Sequence, residues 1–124
     1  MKKSDVKIKW LNKSEEHDYP AALSYLSLLY SPKVAEEHVA KLKHARISQF
    51  KAKDIFRASH LPLLRLSNYH VKQDKKKIES RELLSPLLLV RDSGQSTLII
   101  ADGYHRLCAV YAYDEDAVIP CKIV

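Results

Sequence analysis

The sequence predicts an α+β fold: a small mixed sheet with helices, preceded by an amino-terminal helical segment. Three observations carry this expectation. Between residues 18 and 59 apolar side chains recur every three or four positions, the period of an amphipathic helix. Beyond residue 60 the pattern changes to short continuous apolar runs, Leu87-Leu88-Leu89-Val90 and Leu98-Ile99-Ile100-Ala101, which suit buried strands. Finally, the chain has only two glycines, and Gly103 stands where the second run passes directly into a helical pattern.

Residues 1–17 are polar and basic, and are expected to form a mobile arm with at most a short strand near Val6 to Leu11. Asp18 as cap and Pro20 in the first turn predict a helix whose Ala22, Leu23, Leu26, Leu29 and Tyr30 form one stripe. Ser31-Pro32 predicts a second start, leading to His44 with Ala35, Val39 and Leu42 inward. A shorter helix over residues 53–59 buries Ile55 and Phe56, and residues 18–59 as a whole are expected to pack on the carboxy-terminal half of the chain. Residues 60–124 form the predicted core unit. Residues 61–66 suggest a strand in which Pro62 marks an edge or a beginning. Ser67-Asn68-Tyr69-His70 looks like a turn, with Asp74 capping a short helix through Lys75, Lys76, Lys77 and Ile78. The two apolar runs flank Asp92-Ser93-Gly94-Gln95, a hairpin turn. A helix after Gly103 buries Leu107, Val110, Tyr111 and Cys108. Residues 117–124 form a closing strand in which Pro120 suggests an edge.

Composition narrows the partners. Hydrophobic residues make up 46% and charged residues 29%, the balance of a globular chain, and no apolar run approaches the roughly 20 residues of a membrane span. The charged amino terminus lacks an apolar stretch, which predicts no secretory leader, no membrane and a cytoplasmic location. The net charge of +6 is unevenly placed: residues 1–60 hold 12 Lys/Arg against 7 Asp/Glu, and residues 61–124 hold 9 against 8. Nucleic acid is therefore one candidate partner of the first half, against the alternative of a solvated basic surface. Cys108 and Cys121 lie in apolar patterns without ligand spacing and are expected to be reduced packing residues. The six histidines form no metal-ligand motif, so no transition-metal site is expected.

The chemistry concentrates in Asp102-Gly103-Tyr104-His105-Arg106. A helix amino terminus offers unpaired N–H groups and the positive end of its dipole. His105 and Arg106 would be unfavourable cations in that first turn unless an anion lay between them. The competing reading has Arg106 pairing with a nearby carboxylate and His105 at the surface. Asp102 likewise has two open roles, capping the helix, or orienting His105 or magnesium in phosphoryl transfer.

Four segments from Leu61 to Val124 resemble, in order, the ParB/sulfiredoxin fold, shared by sulfiredoxin, the ParB amino-terminal domain and the free serine kinases. They are Pro62-Leu63, Ser85-Pro86-Leu87-Leu88-Leu89-Val90, Gly103-Tyr104-His105-Arg106-Leu107-Cys108-Ala109 and the closing Ile119-Pro120-Cys121-Lys122-Ile123-Val124. The resemblance implies a nucleotide-binding protein, a phosphotransferase or nucleoside triphosphatase using ATP or ADP with Mg2+. Its phosphates would be held by Gly103, Tyr104, His105 and Arg106, with Lys77 and Ser80 as further contacts and Asp102 and His105 as catalytic groups. Lys75 or Lys76 could take the place of Lys77. Tyr104 stands where sulfiredoxin carries its nucleophilic cysteine, so sulfinic acid reduction is not implied. Only one arginine of the ParB pair is present, which leaves a non-catalytic, ParB-like nucleic-acid-binding or regulatory protein as the alternative.

Overall fold

The computed structural model describes residues 7–124, and the fold is α+β. Along the chain run β1 (Lys9–Trp10), α1 (Asp18–Leu26), α2 (Pro32–His44), β2 (Ile47–Lys51), α3 (Ala52–Ser59), α4 (Tyr69–Glu79), β3 (Leu83–Leu84), β4 (Leu87–Asp92), β5 (Thr97–Asp102), α5 (Tyr104–Tyr113) and β6 (Val118–Ile123). The main sheet has the order β2-β6-β4-β5, with β4 parallel to β6 and the other pairs antiparallel. β1 and β3 form a separate two-stranded parallel ladder.

The continuous apolar run of β4 is explained by its position. Leu87 and Leu89 join one core with α3, α4 and α5, and Leu88 and Val90 join a second with α1 and α2. Side chains alternate across a strand, so a strand covered on both faces needs apolar residues at every position. β4 and β5 are joined by the predicted hairpin, where the Gln95 N–H donates to the Asp92 carbonyl at 3.1 Å. The second helix starts as predicted. Ser31 Oγ accepts from the Val34 N–H, Pro32 occupies the first turn, and Ala35, Val39 and Leu42 are buried.

Several expectations are corrected. Residues 61–66 form no strand, and Ser67-Asn68-Tyr69-His70 is a helix start rather than a turn. Asn68 Oδ1 accepts from the N–H groups of both His70 and Val71, so α4 begins well before an Asp74 cap would place it. Asp74 lies inside α4 and is buried. Asp18 does not cap α1: the capping position is His17, without a side-chain bond, and the helix ends at Leu26 rather than Tyr30. β2 and β3 were not foreseen. β2 is exposed at all five positions, so no burial pattern announces it. Pro120 is not on an edge strand, because β6 lies between β2 and β4. Its missing N–H is tolerated because the ladder with β4 begins only at Cys121. Tyr30, Phe56 and Tyr111, expected inward, are only partly buried, while Tyr19 is buried.

The arm expected over residues 1–17 is described from Lys7 onward, and residues 1–6, including Val6 of the expected first strand, lie outside the described residues. From Lys7 the chain is docked: Trp10 pairs with Leu84, Ser14 is buried and Glu15 N–H donates to Ser85 Oγ. Both cysteines are free and buried. Among the described residues no helix is long and apolar enough to cross a membrane. Because Asn68 alone satisfies two first-turn N–H groups of α4, Asn68→Ala should lower stability by about 1 kcal/mol, read as a shifted urea midpoint with unchanged slope.

Candidate functional site

The strand-to-helix turn at the end of β5 is built around Gly103, whose φ of +108° is a conformation that side chains resist. Space excludes a side chain as well: a Cβ there would lie 2.8 Å from Leu87 Cγ and 2.9 Å from Arg106 Nη2. α5 begins at once, with no acidic residue in its first turn and no side-chain cap. Its first N–H groups therefore lack both an intrahelical partner and a carboxylate acceptor from the same turn.

Arg106 reaches back across this turn. Its Nη2 lies 3.0 Å from Asp102 Oδ2 and 3.4 Å from the Pro86 carbonyl, while Nε is buried without a hydrogen-bond partner. Asp102 in turn meets the carboxyl of Asp18, which also accepts from Ser85 Oγ. His17 Nε2 lies 3.3 Å from the other oxygen of Asp18. Burial raises Asp102 above the usual carboxylate range, the Asp18 carboxyl adds to this, and Arg106 opposes it. The polar chain Ser85, Asp18, Asp102, Arg106 thus ties α1, the entry to β4, the end of β5 and the start of α5 together.

The other wall is α4. The His70 and His105 rings stand 4.9 Å apart at 48°, each in the first turn of its helix. One turn further along α4 is the buried Asp74, and two turns along is the exposed Lys77, whose Nζ lies 4.0 Å from Asp74 Oδ1. Burial raises Asp74 despite the opposing charges of Arg106, Lys77, His105 and His70. Burial also lowers His105, with His70 and Arg106 adding to the effect and Asp74 opposing it. The neutral ring, able to accept a proton, is thereby favoured at His105.

The structure brings Asp102, Gly103, Tyr104, His105 and Arg106 to one turn, and Lys77 reaches the edge of this cluster through Asp74. Ser80 is not part of it. It ends α4, ten residues beyond His70 and about 15 Å away along the helix axis. Lys75 turns to Glu79 at 3.2 Å. Tyr104 donates its hydroxyl to the Pro62 carbonyl, which fixes the ring against the extended segment after α3. Sequence reasoning missed His70, Asp74, Asp18 and Ser85. Recognising Asn68 as the cap would have placed residues 70, 74 and 77 on one helical face. For Asp18 and Ser85 only the folded chain supplies a signal. Among the described residues no three His, Cys, Asp or Glu side chains form a metal-binding group.

Comparison with family models, curated proteins and solved structures returned no match.

Two outcomes test this geometry. Gly103→Ala meets both a positive φ and a 2.8 Å approach, so it should cost about 1–3 kcal/mol in thermal or urea unfolding. Asp74 binds its proton more tightly in the folded chain than in the unfolded one. Its contribution favours folding below the ordinary carboxylate value and is lost as pH rises through the raised one. The stability of Asp74→Asn relative to the parent should therefore increase between about pH 4 and pH 7; a decrease would show that ion pairing outweighs burial at this carboxyl.

Proposed function

We propose that this protein binds a nucleoside di- or triphosphate, ATP or ADP among them, with its terminal phosphates against the amino-terminal turn of α5, and transfers or hydrolyses the terminal phosphoryl group. The observation that carries the reading is the Gly103 turn. It presents unpaired N–H groups beside His105 and Arg106, in a first turn without a carboxylate. The Gly103-Tyr104-His105-Arg106 segment and its resemblance to the ParB/sulfiredoxin fold support the same reading.

In this reading Gly103 permits close approach of the phosphate and Arg106 offers its guanidinium. Asp102 is a positioning residue, holding the guanidinium at 3.0 Å. Neutral His105 takes the proton of the attacking hydroxyl or water as the new bond to phosphorus forms and the bond to the leaving phosphate breaks. Tyr104, without a thiol, suits phosphoryl chemistry rather than sulfinic acid reduction. Among the described residues the carboxyls do not form a magnesium cage, since Asp102 is engaged by Arg106 and Asp18 by Ser85. Any magnesium would arrive on the nucleotide's own phosphates.

Arg106 also stabilises the free fold through Asp102, so its removal is best tested with that charge removed too. Arg106→Ala combined with Asp102→Asn should weaken ATP and ADP binding about tenfold or more, or about 1.5–3 kcal/mol, in calorimetric titration. Arg106→Lys should recover only part of the affinity, since it keeps the charge and loses the planar fork. Melting temperatures without ligand separate loss of binding from loss of fold. A parent protein that binds no nucleotide at millimolar concentration overturns the reading. If it instead binds DNA or RNA with steep salt dependence and no response to nucleotide, the fold serves as a scaffold for a nucleic-acid-binding protein.

A further inference from the structure

His70 lies on a different helix from the turn that carries the anion site, and no step of the phosphoryl chemistry requires it. Yet its ring faces His105 at 4.9 Å, with Tyr69 and Tyr104 beside the pair at 5.4 and 5.7 Å. The charges around these two imidazoles are unbalanced. From α4 come the buried carboxyl of Asp74 and the ammonium of Lys77, and from α5 the guanidinium of Arg106. Beyond Arg106 lies Asp102 of β5, already engaged by it. One buried carboxyl, Asp74, thus faces Lys77, Arg106 and both histidines.

Two imidazolium rings this close repel each other and are further opposed by Arg106, so the empty site resists holding both protons. A doubly charged anion in the same place removes that objection. We infer that His70 is a second, proton-dependent ligand for the bound phosphate, so that the site takes up protons with its anion and binds it more tightly as pH falls. This rests on the phosphate site at the Gly103 turn and deepens it, by placing control of its occupancy on α4. By linkage, each proton taken up with the ligand can raise affinity by as much as tenfold per pH unit below the histidine range.

Sulfate is a suitable probe, since it remains a dianion throughout the range in which histidine titrates and all pH dependence then belongs to the protein. Calorimetric titration of the full chain with sulfate, and in parallel with ADP, at about pH 7.5 and pH 5.5 reads the linkage. The parent should bind sulfate about tenfold more tightly at the lower pH. His70→Gln should match the parent within about twofold at pH 7.5 and lose at least half of the logarithmic gain on acidification. His70→Lys, charged at both pH values, should bind tightly at both and show a flattened response. Histidine ring NMR should show the His70 titration moving upward when sulfate is added. Equal pH responses in the parent and His70→Gln, for sulfate and ADP alike, overturn the inference and leave the nucleotide site standing. Failure of both anions to bind the parent at either pH overturns the site itself.

Discussion

β4 has no side that can face water, and the molecule is organised around that requirement. Leu87, Leu88, Leu89 and Val90 are all fully buried, alternating between two separate cores. α1 and α2 must cover one face and α3, α4 and α5 the other, since an exposed row of these side chains would forfeit roughly 1.5–3 kcal/mol each. The same strand constrains the turn after β5. Leu87 Cγ lies 2.8 Å from where a Cβ at residue 103 would stand, so the packing that secures β4 also restricts that position to glycine.

Around this apolar centre the polar groups are few and interlocked. Asp102 and Arg106 close the turn, Asp18 brings the first helix to it, and Ser85 anchors both at the entrance to β4. Burial raises the proton affinity of Asp74 and Asp102, and at both the Arg106 charge opposes it. The amino-terminal helices are consequently more than a cover for the sheet. Through Asp18 they touch the side chain that orients Arg106.

The difference between legible and hidden features lies in where each signal resides. The α+β class, α2 with its Ser31 cap, the β4–β5 hairpin and the Gly103 turn were legible because local residues specify them. β2 was invisible because its partner and its burial are both supplied from elsewhere: it is an exposed edge recognised only by β6. Asn68 and Asp74 are both good helix starters, and a start at Asp74 shortens α4 and leaves His70 outside it. Residues 61–66 have strand composition but find no ladder, serving instead as the segment whose Pro62 carbonyl receives Tyr104. At the site, the residues of one turn were readable, whereas Asp18, Ser85 and His70 reach it only by tertiary approach.

The strand order carries a kinetic consequence. β2 and β4 are neighbours of β6 on opposite sides, so neither half of the main sheet is joined to the other until β6 has entered between them. The contact between Ser48 and Cys121 spans 73 residues of chain, and the entropy of closing so long a loop must be met before the ladder returns any stabilisation. Until then β2 has no partner in the sheet, and α3, which comes directly after it, lacks the Ile119 and Cys121 side chains of its core. Insertion of β6 is thus the event that brings β2 into the main sheet.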